Sequence, residues 1–100
     1  MNRKQFSNIA KALSDPRRLE IFKVIAKSRE ISCGAIADKF PIGQPTVSHH
    51  LKLLSDCGLV SVRKDGQHSF YSADPDVFKG YINELWKVIP GSASGHIESA

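Results

Sequence analysis

Gln44, Thr46, Ser48 and His49 crowd hydrogen-bonding side chains into a short stretch, and Lys52 follows about one helical turn later. Among them Val47, Leu51 and Leu54 recur at spacings of 4 and 3, the period of a helix with one apolar face. A helix that enters the major groove of duplex DNA must show small or polar side chains over its first turns, where base edges approach, while apolar residues hold it to the core. Gln44 can pair with adenine, Thr46 and Ser48 can serve base edges or phosphate, His49 adds a further polar contact, and Lys52 suits a phosphate. An ordinary solvated helix face is the plain alternative for this set. His50 lies on the side of Val47 and Leu54, so it reads as structural.

Other chemistry is sparse. The chain has no glycine-rich phosphate loop, no nucleophile elbow and no metal-binding His-Glu constellation. His49 and His50 are adjacent, so on a helix they point about 100° apart, which disfavours joint ligation. No enzyme is expected. Cys33 and Cys57 have two readings. A helix dipole would favour a Cys33 thiolate and Cys57 closes the fourth helix, so oxidation of either would shift that helix. Against this, no cation cluster flanks them, and small buried cysteines commonly fill cores.

The elements that must position these residues follow from periodicity and punctuation. Phe6, Ile9, Ala10 and Leu13 mark a first helix over about Gln5 to Ser14, and Asp15-Pro16 stops it and caps the next. The second helix carries Leu19, Ile21, Phe22, Val24, Ile25 and Ala26 around much of its circumference and ends near Lys27-Ser28-Arg29, as a central buried helix would. Ser32 caps a short third helix through Phe40, and Pro41-Ile42-Gly43 leaves room only for a tight corner before the fourth helix, Gln44 to about Cys57, which Gly58 terminates. Short helix, tight turn and longer helix make a helix-turn-helix. The period then changes to 2 through Leu59, Val60 and Val62, with Asp65-Gly66 as a hairpin turn and Phe70 and Tyr71 returning. Asp74-Pro75 caps a last helix, Asp76 to Ile89, with the apolar stripe Val77, Phe78, Tyr81, Ile82, Leu85, Trp86 and Ile89.

The length of 100 residues supports one domain, expected over residues 1–90, with residues 91–100 as a flexible tail where Pro90-Gly91-Ser92-Ala93-Ser94-Gly95 breaks the pattern and His96 is solvated. A chain this small has trouble hiding two apolar stripes. A homodimer is therefore expected, with Phe6, Ile9, Leu13, Phe78, Tyr81, Ile82, Leu85 and Trp86 at the interface. The net charge of +4 is concentrated in the first half, which holds nine basic and four acidic groups, and this favours an anionic partner. No stretch has the apolar length of a membrane span, and Met1-Asn2-Arg3-Lys4-Gln5 lacks a signal-peptide core, so a cytoplasmic protein with reduced thiols is expected.

The run Lys11-Ala12-Leu13-Ser14-Asp15-Pro16-Arg17-Arg18-Leu19-Glu20-Ile21, then Gln44-Pro45-Thr46-Val47-Ser48-His49-His50-Leu51-Lys52-Leu53-Leu54, then Gly58-Leu59-Val60 and Gly66 to Tyr71, resembles the ArsR family of bacterial winged-helix transcriptional repressors. The resemblance spans roughly residues 5–90. It implies a mainly α winged helix-turn-helix of five helices with a two-stranded antiparallel wing, and a dimer that represses a promoter by occupying an inverted repeat of double-stranded DNA. It also implies that the hairpin tip, with Arg63, Lys64, Gln67 and His68, touches DNA. Gln67 stands where many such repressors carry an arginine, which argues against minor-groove insertion. Arg17 and Arg18 sit at the positive end of the second helix, facing phosphate or, for Arg18, bridging to a core carboxylate. Soft-metal sensors of the family carry a Cys-x-Cys pair that here reads Ser32-Cys33-Gly34, and the site that uses Asp and His on the last helix lacks its histidine. No metal and no cofactor are expected, and the signal is unassigned. The competing class is a winged helix used for protein contact, but such a face would be apolar or acidic where Gln44, Thr46, Ser48 and His49 are neither.

Overall fold

In the computed structural model, which describes residues 1–91, five helices surround a small sheet. Helix α1 spans Arg3–Leu13, α2 Pro16–Lys27, α3 Cys33–Ala37, α4 Gln44–Asp56 and α5 Pro75–Trp86. The strands are β1 Ile31–Ser32, β2 Val60–Asp65 and β3 His68–Ala73. Asparagine, aspartate and serine side chains set the helix starts. Asn2 accepts the Gln5 amide, Asp15 the Arg18 amide and Ser32 the Ala35 amide, while Asp74 accepts those of Asp76 and Val77. Each satisfies a donor that a helix leaves open at its N-terminus.

Helix α4 ends in a Schellman turn. The Leu59 amide donates to the Leu54 carbonyl at 3.1 Å and the Gly58 amide to Ser55 at 3.0 Å, with Gly58 at φ +87°. Leu54 and Leu59 are both fully buried, the apolar pair that commonly accompanies this turn. The turn aims the chain directly into the wing.

The wing has three strands rather than two, in the order β1-β3-β2, all antiparallel. Ile31 pairs with Tyr71 and Ser32 with Phe70. A two-residue strand has no period to read, so its pairing is invisible in the sequence. Asp65 pairs with His68, which makes Gly66 and Gln67 the loop and moves the turn one residue past the expected Asp65-Gly66. Gly66 holds φ +61° there. The last helix stops at Trp86 rather than Ile89, and Pro90 bars helical continuation beyond that point. The flexible-tail expectation, His96 included, falls on residues that from Ser92 onward lie outside those described.

The core joins Ile9 and Ala12 of α1, Ile21, Phe22 and Ile25 of α2, Ile36 of α3, Val47, Leu51 and Leu54 of α4, and Leu59, Val60 and Tyr81. The α1 stripe is thus largely covered within one chain. Ile9 is fully buried, and Tyr81 stacks on Phe6 with ring centroids 5.0 Å apart. Ile9 and Tyr81, expected at the dimer interface, are buried in the protomer core, where α1 packs against α2, α4 and α5 at once.

Candidate nucleic-acid interface

Helix α4 divides cleanly into two faces. Val47, Leu51 and Leu54 are fully buried and His50 nearly so, while Gln44, Thr46, Ser48, His49 and Lys52 are all exposed. The corner 41–43 and the anchoring of Ile36 in α3 hold this face outward. The first turn has no side-chain cap and no acidic residue, so its positive dipole end is left open to solvent. Lys52 donates to Asp56 at 3.0 Å, four residues on, with both side chains more than half exposed. Exposed pairs of this kind hold weakly, so the ammonium can leave for a stronger anion.

At the wing, Lys64, Gln67 and His68 are exposed around the turn. Arg63, expected at phosphate, is held in an ion pair within the protein. Its Nε and NH2 donate to the two carboxylate oxygens of Glu30 at 3.0 and 2.8 Å, Asp65 lies 3.9 Å away, and its guanidinium stacks 4.7 Å above Phe70. Hydrogen bonding to Arg63 lowers the Glu30 pKa and raises that of Arg63, so both stay charged. This two-bond pair ties β2 to the residue before β1 and neutralises Arg63 in place. Replacing Lys64 with Gln should therefore reduce the salt dependence of duplex binding by about one phosphate per protomer, and Arg63→Gln by much less. Binding curves across a salt series check this, and equal slopes for the two variants would refute it.

Arg17 lies over Phe40 at 5.6 Å from the ring centroid and is half-buried beside the helix-turn-helix corner. Arg18 is half-buried and, among the described residues, pairs with no carboxylate. Its Nε donates to the Ala12 carbonyl at 2.7 Å, its NH2 to the Lys11 carbonyl at 3.4 Å, and its NH1 stands 3.1 Å from Nδ1 of His50. Burial lowers the His50 pKa, with Asp15 acting the other way. His50 is structural, as its position on α4 indicated.

Of the cysteines, Cys57 is buried, its thiol donating to the Leu54 carbonyl at 3.4 Å, and burial raises its pKa. That describes inert filler. Cys33 is half-buried at the start of α3, with its sulfur 3.6 Å from Ser48 Oγ and 3.9 Å from Gln44 Nε2. It touches the base of the polar face. Among the described residues no group of three or more His, Cys, Asp or Glu side chains could hold a metal ion. Ser32 Oγ is occupied by the Ala35 amide, and Gly34 has no side chain.

On the opposite side, Phe78, Leu85 and Trp86 of α5 are 37%, 47% and 39% exposed, Ile82 is half-buried, and Phe6 and Leu13 flank them half-buried on α1. Phe78 also lines an apolar groove of about 470 Å³ with Leu19, Phe22 and Ala26 of α2, so the apolar face extends onto a helix not expected to contribute. Leu19 and Ala26 lie in the all-round apolar pattern of α2, which gives no sign of which edge stays uncovered. Among the described residues no helix is long and apolar enough to cross a membrane.

A family model described as a helix-turn-helix domain matches residues 13–63. The arsenical resistance operon repressor of Staphylococcus xylosus is 39% identical over 95 residues, covering 95% of this chain and 89% of that protein. The solved ArsR-like transcriptional regulator from Rhodococcus sp. RHA1 matches with a TM-score of 0.76 at 26% identity, over 85% of this chain and 79% of that one. The homodimeric winged helix-turn-helix DNA-binding domain of a possible ArsR-family regulator from Mycobacterium bovis matches at 0.69 with 31% identity, over 85% and 77%.

Proposed function

This chain belongs to the ArsR family of winged helix-turn-helix transcriptional repressors, and from that premise we propose how it reads DNA. It is a DNA-binding repressor that acts as a homodimer, as its relatives' names and the homodimeric neighbour support, and we place its action in the cytoplasm. Each protomer lays α4 in a major groove, Gln44, Thr46, Ser48 and His49 meet base edges, and Lys52 leaves Asp56 for a phosphate. Lys64, Gln67 and His68 approach the flanking backbone from the wing, and Arg17 reaches phosphate beside Phe40 while Arg63 holds the wing in place. Exposed Phe78, Leu85 and Trp86 and half-buried Ile82 pair α5 across the two-fold axis, with Phe6 and Leu13 at its edge. Two recognition helices then face half-sites about one DNA turn apart in an inverted repeat. Bound at a promoter, the dimer blocks transcription. With Ser32 and Gly34 at the positions of a thiolate pair, we assign no soft-metal signal to this chain.

The two-faced character of α4 carries this reading. Val47, Leu51 and Leu54 fix its inner side so completely that the outer polar row has one orientation. Thr46→Ala and His49→Ala should each weaken binding to a duplex selected from a randomised library by about 1 to 3 kcal/mol, while shuffled DNA of equal length is bound nearly as before. Fluorescence anisotropy with both duplexes separates the cases. Equal losses on selected and shuffled DNA would remove base readout from these residues.

A further inference from the structure

One guanidinium joins three helices. Through Ala12 and Lys11 carbonyls Arg18 closes the C-terminal end of α1, it sits itself in the first turn of α2, and through NH1 it meets His50 on the buried side of α4. A guanidinium has donors only, so His50 Nδ1 must accept and the imidazole proton must lie on Nε2. Protonating Nδ1 would set a donor against a donor and a cation against a cation at 3.1 Å.

We propose that Arg18 and His50 are a positioning pair that holds the recognition helix in its base-reading orientation only while His50 is neutral, so that discrimination among DNA sequences falls on acidification. This inference rests on the DNA-binding function above. The pair sits between α4 and the α1–α2 corner. Releasing it displaces the row Gln44 to His49 within one protomer and alters the angle between the recognition helix and the helices that carry the dimer face. Hydrogen bonds to base edges fail over displacements of about 1 Å, whereas phosphate attraction hardly changes. Selective recognition is therefore the property at risk, and general affinity is not.

The charged groups facing the imidazole come from each packed element. Asp15, which caps α2, favours its protonation, while Arg18 and Arg17 of α2 and His49 of α4 oppose it. Lys11 of α1 and Asp56 of α4 line the cleft on the far side of Arg18. Burial is the largest influence and keeps His50 below the ordinary histidine value of 6.5. The intact pair binds fewer protons than the released one, so it is fully present above about pH 6.5 and is lost as pH falls from there through the lowered value.

The test compares wild type with His50→Gln, whose amide oxygen accepts from Arg18 and does not titrate. The probes are a duplex selected by the wild-type protein at about pH 7.5 and a shuffled duplex of equal length. Between about pH 7.5 and 5.5 the ratio of the two affinities should fall for wild type, by at most about tenfold per protomer for each pH unit below 6.5 and levelling off once the pH passes the lowered His50 value. His50→Gln should show a clearly smaller fall over that range, whatever its starting level, because only the contribution of residue 50 is removed. Arg18→Lys, which cannot bond to three partners in a plane, should already show a reduced ratio at neutral pH while still melting cooperatively. Nitrogen-15 spectra of wild-type His50 should show a neutral ring protonated on Nε2 at about pH 7.5, titrating together with the ratio. A ratio that falls equally in His50→Gln, or a neutral ring protonated on Nδ1, would overturn the pairing. Absence of any preference between duplexes at neutral pH would instead defeat DNA reading itself, and the inference with it.

Discussion

Leu85→Glu should turn the dimer into a monomer in sedimentation velocity and weaken binding to an inverted-repeat duplex by about 100-fold or more, near 2.7 kcal/mol. Leu85 is 47% exposed in the single chain, and Phe78 and Trp86 beside it on α5 are nearly as open. Scattered apolar residues on a surface need no explanation, but this row continues into the groove over Leu19 and Ala26 and so forms one patch. Across a two-fold axis the same residue appears twice, so a single substitution buries two carboxylates in the seam. The monomer loses little by the change, since Leu85 contributes no fully buried surface to its own core. The melting curve should therefore stay cooperative while the mass halves. Affinity drops because one half-site must then be held without help from the other. A Leu85→Glu protein that remains dimeric would place the interface elsewhere.

Leu51→Ala should lower unfolding stability by about 2 to 5 kcal/mol, a large share of the 5 to 15 typical of a domain. Leu51 is fully buried, and so are Val47 and Leu54 along the same face of α4 and Ile21 and Ile25 on the neighbouring α2. Truncation removes three carbon atoms from the packing that fixes the recognition helix, and a cavity in a fully buried site between packed helices is filled only in part by collapse. Urea unfolding should show a lower midpoint with an unchanged slope. Thr46→Ala, exposed one turn away, should stay within about 0.5 kcal/mol of wild type in the same experiment. A Leu51→Ala protein as stable as wild type would mean that α4 is held chiefly by something other than its apolar face.

Local signals made much of this molecule readable. Asp15-Pro16, Ser32 and Asp74-Pro75 start helices because a short polar side chain can reach back to open amides within its own first turn, and Gly58 ends α4 because the Schellman turn needs positive φ. The polar and apolar rows of α4 follow from spacing alone. What escaped depends on partners distant in sequence. Glu30 and Arg63 are 33 residues apart and Arg18 and His50 are 32, and no periodicity links either pair. Arg63 therefore read only as a phosphate ligand on its charge and position, and Arg18 as facing phosphate or bridging to a core carboxylate, with Glu30 and His50 out of view. The division of the apolar stripes was equally hidden. A stripe announces that a helix face must be covered, but Ile9 and Tyr81 are covered by their own chain while Leu85 is not, and only the packing of α1 against three helices decides between them. The family resemblance supplied the wing's use and the dimer's task, which composition could not.

Selection of duplexes from a fully randomised library by the purified protein tests sequence-specific recognition by α4 most directly. Enrichment of a pseudo-palindrome with half-sites about 10 base pairs apart is the expected result, with Thr46→Ala or His49→Ala relaxing the preference at matching positions in both halves. A pool that stays unenriched after repeated rounds, with selected and shuffled duplexes bound equally, would contradict it.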